Sequence, residues 1–597
     1  MNRSTPTPTS ALAIPLDNLS RASAIARVIV TYPKIVVFIS LVLMAALLST
    51  LPTLYKDTRS DAFLADDNPA LVYKNKVKAQ FGLSDSMVIA IVNKRENGVF
   101  NPNSLALVGW LSEQLSTLDN INSDRITSLA TENNISGTEE GMEVVPFFDE
   151  LSGEQVSADN IWQQVSDFPL YMGSIVAGNK KATLIVAELI DENEVEETYQ
   201  QVLELIAQAP KSTGDEIHLA GEGAVSGYLG SYIDADAQKL NPIAGLVITL
   251  IILLAFRRFS PALLANVIIA ASVLMTLGIM ALFEVPFFVI TNALPVILIG
   301  ISVADSMHIF SHYFDLQAKR PLDDKKQLIV ETLVEMWRPI TLTTLTTVAG
   351  FMGLYFAAYM PPFKYFGLFT AIGVAIAWLY SLIFLPAAMA IIKPSASSAM
   401  VRQAKQGKRD KFSELMVQFG QVTLKHHKKV ILFFCFIMLT GLFAATNLTV
   451  DEDRIETFHS SEALYKADKA INHYLNGSNN LDIVIETNET EGLFDPTVLN
   501  KIQDLQSFAL TLPNVKGATS IVDYLKQMNR SLSGGDKSEY QLPNDKALIA
   551  QYFLIYSASS DPTDFEEEID YDYRVANMRV QFNKGGYQDT KVAIETL

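Results

Sequence analysis

Seven apolar blocks constrain this 597-residue chain more than anything else in it, at about 35–51, 241–256, 261–283, 288–310, 340–358, 366–392 and 430–446. Crossing a bilayer takes roughly 20 apolar residues, with a working range near 17–25. The blocks therefore predict an α-helical transmembrane bundle of about seven spans. The second block is short unless its helix begins before Pro242. The first follows Arg21, Arg27 and Lys34, as a signal peptide would, but no clean small-x-small cleavage site comes after it. The chain is 49% hydrophobic, and a charged fraction of 19% is compatible with that only because the apolar residues are concentrated in these blocks.

Lys and Arg placement sets an orientation. Arg257 and Arg258 separate blocks two and three. Lys319, Arg320, Lys325 and Lys326 separate four and five. Nine more basic residues, from Lys393 to Lys429, separate six and seven. The N-terminus and these loops are expected in the cytoplasm, and the two long segments outside. The layout is a cytoplasmic tail 1–34, span one 35–51, a first periplasmic α/β domain 52–240, spans two to six 241–392, a cytoplasmic linker 393–428, span seven 429–446, and a second, incomplete periplasmic α/β domain 447–597. The linker opens "KPSASSAM" and reads as partly flexible. Net charge is −19, which argues against nucleic acid as a partner. A single cysteine, Cys435, rules out an intramolecular disulfide and a thiolate metal cluster.

The two outer segments are related. Gly98, Phe100 and Pro102 match Gly492, Phe494 and Pro496 at an offset of 394 residues, and the same offset carries Asp57 to Asp451 and Ala182 to Ala576. A shared, gapless spacing indicates duplication. The first outer segment alternates strand patterns ("DSMVIAIVN", "ATLIVAELI", "EIHLAGEGA") with helical ones. One helix begins at Pro102 with Asn101 or Asn103 as its cap, and the whole suggests a small split βαβ sandwich. Residues 131–180 are polar and irregular. The repeat predicts a further set of spans after the second outer domain, whereas Leu597 is the counterpart of Leu203. The chain thus reads as a fragment, a truncated gene product, or one half of a two-polypeptide protein.

Chemistry concentrates in block four, "ILIGISVADSMHIF". A carboxylate in a membrane helix costs about 2.5–3.5 kcal/mol on insertion scales. Ser302, Asp305, His308 or Ile309, and His312 recur at three and four residues, which puts Ser302, Asp305 and His308 near one stripe expected to face the bundle interior. Block five brings Thr343, Thr344, Thr346 and Thr347, whose hydroxyls can donate to a carboxylate. Two readings compete for Asp305: a polar residue that holds helices together, or a proton carrier. Burial and hydroxyl donors act on a carboxyl in opposite senses, so a group set between them can load a proton on one side and release it on the other. One charge moved through 100 mV is worth about 2.3 kcal/mol, roughly fiftyfold in an equilibrium constant. The candidate relay comprises Asp305, Ser302, Ser306, His308, Thr343, Thr344 and Thr347. His308 also has the placement of an interfacial residue, and His312 reads as plain interface. No Walker A loop, HExxH, Cys/His cluster or GxSxG elbow occurs, so no cofactor, metal or enzymatic activity is expected.

The order of span, outer domain, five spans, span and outer domain resembles the resistance–nodulation–division (RND) exporters. It is closest to their MMPL-like and Patched-like branch. "GISVADSMHIFSHYFD" resembles that branch's fourth-span signature, "RPITLTTLTTVAGFMGL" its fifth, and "DAFLADDNPALVYKNKVKAQFG" the entry to the first outer domain. Spans two to six also resemble a sterol-sensing domain. The resemblance implies a proton-driven exporter of hydrophobic or amphiphilic molecules, often lipids, in a bacterial inner membrane, with Asp305 as a relay residue. It leaves open a periplasmic partner or missing C-terminal half and a homo-oligomer. Many such proteins follow the aspartate with a tyrosine or a second acid, where this chain has Ser306, and their second relay group lies in a tenth span. The alternatives are a non-transporting sterol- or lipid-sensing protein and an inactive remnant of such an exporter.

Overall fold

The computed structural model describes residues 16–138, 141–148, 155–210, 214–396, 411–451, 453–559 and 565–597. Among them, seven helices are long and apolar enough to cross a membrane: Pro33–Thr53, Glu222–Phe256, Phe259–Leu282, Val289–Lys319, Lys325–Ala357, Pro361–Ile392 and His427–Ala445. These are spans one to seven below. The chain divides into two compact units, one of residues 1–65 and 232–447 and the other of residues 66–231 and 448–597.

The first unit is the helical bundle. Span two is one helix from Glu222 with Pro242 inside it, so the short apolar block sits in a helix that begins well before the proline. Proline is tolerated there because neighbouring helices and local adjustment re-satisfy the freed backbone groups of a membrane helix. Spans three to six share the bundle's apolar interior, where Ile268, Phe310, Tyr313, Ile340 and Leu385 pack in one cluster and Leu294, Leu298, Phe369 and Val374 in another. Span one approaches span three closely at Gly278, whose carbonyl accepts a 2.7 Å hydrogen bond from the Thr50 hydroxyl. Span six relaxes into a π-turn over Tyr380–Phe384, ahead of Pro386. Span seven has no buried residue. The tail before span one holds a helix, Leu16–Thr31, and the linker before span seven holds another, Lys411–Lys425. The segment of that linker expected to be flexible lies, at 397–410, outside the described residues.

The second unit carries two versions of one α/β fold. In the first, four antiparallel strands lie in the order Ile121–Thr127, Ala182–Leu189, Ser86–Asn93, Asp215–Ala220. With helices Pro102–Leu115 and Val195–Gln208, the chain order is βαββαβ, a split βαβ sandwich. In the second, Val515–Thr519, Val575–Phe582 and Asn479–Glu486 form a three-stranded antiparallel sheet. The offset of 394 reappears in the elements. Helix Pro102–Leu115 maps onto Pro496–Ala509, and the starts of Pro69–Phe81 and Ile121–Thr127 onto those of Ala463–Tyr474 and Val515–Thr519. The caps repeat as well: Asn101 accepts from the Ser104 amide and Asp495 from the Thr497 amide, each satisfying a backbone donor at a helix start.

Residues 131–180 are more regular than their polarity implies. Asn133–Thr138 and Gly141–Pro146 form a hairpin, followed by helix Gln155–Ser166. The hairpin is held by the second repeat. Gln527 and Ser531, on helix Ile521–Leu532, both donate to the Ile135 carbonyl, at 2.8 and 3.0 Å. An edge strand rich in polar residues is stable here because another segment clasps its free backbone groups.

Candidate functional site

Span four positions the acidic residue. Within it Ser302 and Ser306 have no exposed surface and Asp305 is buried. Span five brings Thr344, also buried, with its hydroxyl 3.4 Å from Asp305 Oδ2. Strong O–H···O bonds run about 2.5–3.0 Å, so this is a loose approach rather than a tight bond. The Ser306 hydroxyl donates to the Val303 carbonyl at 2.8 Å and is not aimed at the carboxylate. The Ser302 hydroxyl is buried without a hydrogen-bond partner among the described residues.

Of the other expected members of the relay, Thr343 and Thr347 are not gathered at Asp305. Thr343 is exposed and donates to the Ile340 carbonyl at 2.8 Å; Thr347 is half-buried and donates to the Thr343 carbonyl at 2.9 Å. Both bond back along their own helix, the usual outcome for threonine in a helix interior. His308 is exposed. Each three-residue step falls about 60° short of a full turn, so two steps carry His308 about 120° away from Ser302.

Seven residues nearly close two turns, with a drift of only ~20°. The residue that shares the Asp305 face is therefore His312, which is half-buried, with Nε2 2.8 Å from Glu335 Oε2 on span five. Ser302 and His308 thus flank the Asp305 line by about 60° on either side, and His312, expected as plain interface, lies nearly on that line and reaches Glu335. The i+7 spacing was the signal for it in the sequence. Among the described residues no group of three or more His, Cys, Asp and Glu is arranged to hold a metal.

Comparison with known proteins matches residues 122–419 to the MMPL family. That stretch takes in spans two to six, with Asp305, Thr344, His312 and Glu335. A protein of Methanocaldococcus jannaschii, whose name goes no further than a membrane protein, is 22% identical over 348 residues, covering 56% of this chain and 84% of that protein. With a buried acid between two membrane helices and this match across them, residues 122–419 are an MMPL family domain and the chain is an RND/MMPL-like membrane protein.

Proposed function

We propose that this protein is a permease driven by the proton-motive force, exporting lipids or other hydrophobic or amphiphilic molecules, with Asp305 as the proton carrier. The MMPL family makes an RND-type membrane transporter the natural class. The observation that carries the finer reading is the buried Asp305, approached by Thr344 from the neighbouring span and followed on the same face by His312. A lone structural carboxylate needs none of that continuation. Protonation removes a charge from between spans four and five and so biases their packing, and the paired outer folds offer clefts for an amphiphile. The site lies in a bacterial inner membrane, with the basic loops cytoplasmic and the α/β unit periplasmic. The bilayer and the substrate are its partners.

The test is export of a fluorescent phospholipid analogue from proteoliposomes carrying an imposed proton gradient. Asp305→Asn is expected to abolish export while the protein still inserts, and a protonophore is expected to do the same to the unaltered protein. Normal export by Asp305→Asn overturns the reading.

A further inference from the structure

We propose that His312 and Glu335 form the cytoplasmic terminal of the proton path from Asp305, and that Ile309 closes the path between them at rest. This rests on the reading of Asp305 as a proton carrier.

Three observations converge. Asp305 and His312 lie on one face of span four, separated by about 10 Å along the axis at 1.5 Å per residue. His312 has two distinct nitrogens in two distinct settings. Nε2 faces the Glu335 carboxylate at 2.8 Å, while Nδ1 is buried without a hydrogen-bond partner among the described residues. A carboxylate only accepts, so Nε2 carries a hydrogen, and in the neutral imidazole Nδ1 is then a bare lone pair. That is a base with nothing yet to bind. Finally, the Glu335 side chain is 60% exposed, against 22% for His312, so the pair leads from the interior to water.

Between the acid and the base the face is dry. Ile309 is 1% exposed and packs in the same apolar cluster as Ile340 of span five. Among the described residues no side-chain hydrogen bond links the two. A shift of span five against span four admits water to this step, and the transfer then balances. The Asp305 O–H bond breaks and water relays the proton to Nδ1, where an N–H bond forms. The Nε2–H bond breaks toward Glu335, which releases the proton to cytoplasmic water. With the ring turned outward, cytoplasmic water takes the Nδ1 proton and returns one to Nε2, and turning back restores the starting tautomer with no net proton moved. A polar pair that served only to pin the helix ends has no use for a bare, buried Nδ1.

The experiment follows the infrared C=O band of protonated Asp305, identified by its loss in Asp305→Asn, in proteoliposomes of the full chain. A pH jump is applied to the face bearing the loop at residues 320–324. His312→Gln and Glu335→Gln are each expected to slow the appearance of the band at least tenfold while leaving its equilibrium pH titration in place. Imidazole is expected to restore the rate in His312→Gly, and Ile309→Ser to raise it. Unchanged rates in both His312→Gln and Glu335→Gln, with the band still titrating, overturn this inference and leave the Asp305 carrier standing. A band that does not titrate in the unaltered protein overturns the carrier itself.

Discussion

The Thr344 hydroxyl stands 3.4 Å from the Asp305 carboxylate, across the boundary between two membrane helices. That separation sets what the threonine contributes. A typical net hydrogen bond is worth about 0.5–1.5 kcal/mol, and one this long belongs at the lower end. Thr344→Val, which keeps the shape and removes the hydroxyl, is expected to lower proton-driven export by a few-fold, not abolish it. Thr344→Ser is expected to stay near the unaltered rate. Measured beside Asp305→Asn, the series separates a residue that tunes the acid from the acid itself.

Helix phase explains why part of this site was legible in the sequence and part was not. Asp305 stood out because a charge in an apolar block is costly anywhere in that block. Thr344 was one of four threonines, and sequence alone could not say which would face span four; the structure turns Thr343 and Thr346 outward. His308 and His312 both recur with Asp305 at helical spacing, and the contact that sets His312 apart, with Glu335 on the next span, is not visible in the sequence. In the fold, the spans followed from composition and the duplication from its constant offset. The hairpin at 133–146 did not, because what stabilises it is a helix nearly 400 residues later, on Gln527 and Ser531.

The duplicated caps give a prediction about stability. Asn101 and Asp495 begin equivalent helices, each accepting from a backbone amide within the first turn, at 3.0 and 2.8 Å. Replacing either by Ala leaves that donor without its partner, at a typical cost of about 1 kcal/mol. Asn101→Ala is expected to cost more than Asp495→Ala. Its side chain also donates to the Gly98 carbonyl and to Ser104, so the loop entering the helix loosens with the cap. Thermal unfolding of the two variants in detergent tests the ranking, and equal melting temperatures would refute it.

Spans one and three come close together at Gly278. A Cβ added at Gly278 would collide with the Leu47 carbonyl, whereas one added at Gly300 meets nothing within 4 Å. Small residues let membrane helices approach this closely. Gly278→Leu is therefore expected to force the two spans apart and destabilise the bundle by about 1–3 kcal/mol, the usual cost of overpacking. Gly300→Ala is expected to be neutral or to stabilise by up to about 1 kcal/mol, from helix propensity alone. Unfolding of both variants in mixed micelles measures the contrast.

In the α/β unit, Glu188 is a buried acid of a different kind. It lies on strand Ala182–Leu189, with the Ser84 hydroxyl 3.4 Å away. Burial, and then the charge of Glu567, push its carboxyl up from the ordinary 4.5 to about 7, and Arg125 and Arg579 offset this only in part. Those arginines are engaged elsewhere: Arg125 pairs with Glu566 at 2.6 Å, and Arg579 with Asp482 and Glu567 at 3.0 Å. Because the folded form holds this proton more tightly than the unfolded chain, its contribution to stability is full below about pH 4.5. It is lost as pH rises through about 7, where the folded group must ionise in place. Glu188→Gln keeps the shape and cannot ionise. Its melting temperature relative to the unaltered protein is expected to rise between about pH 5 and about pH 8. A difference that stays flat across that window would mean that Glu188 titrates as an ordinary surface glutamate and that the strand it lies on is open to water.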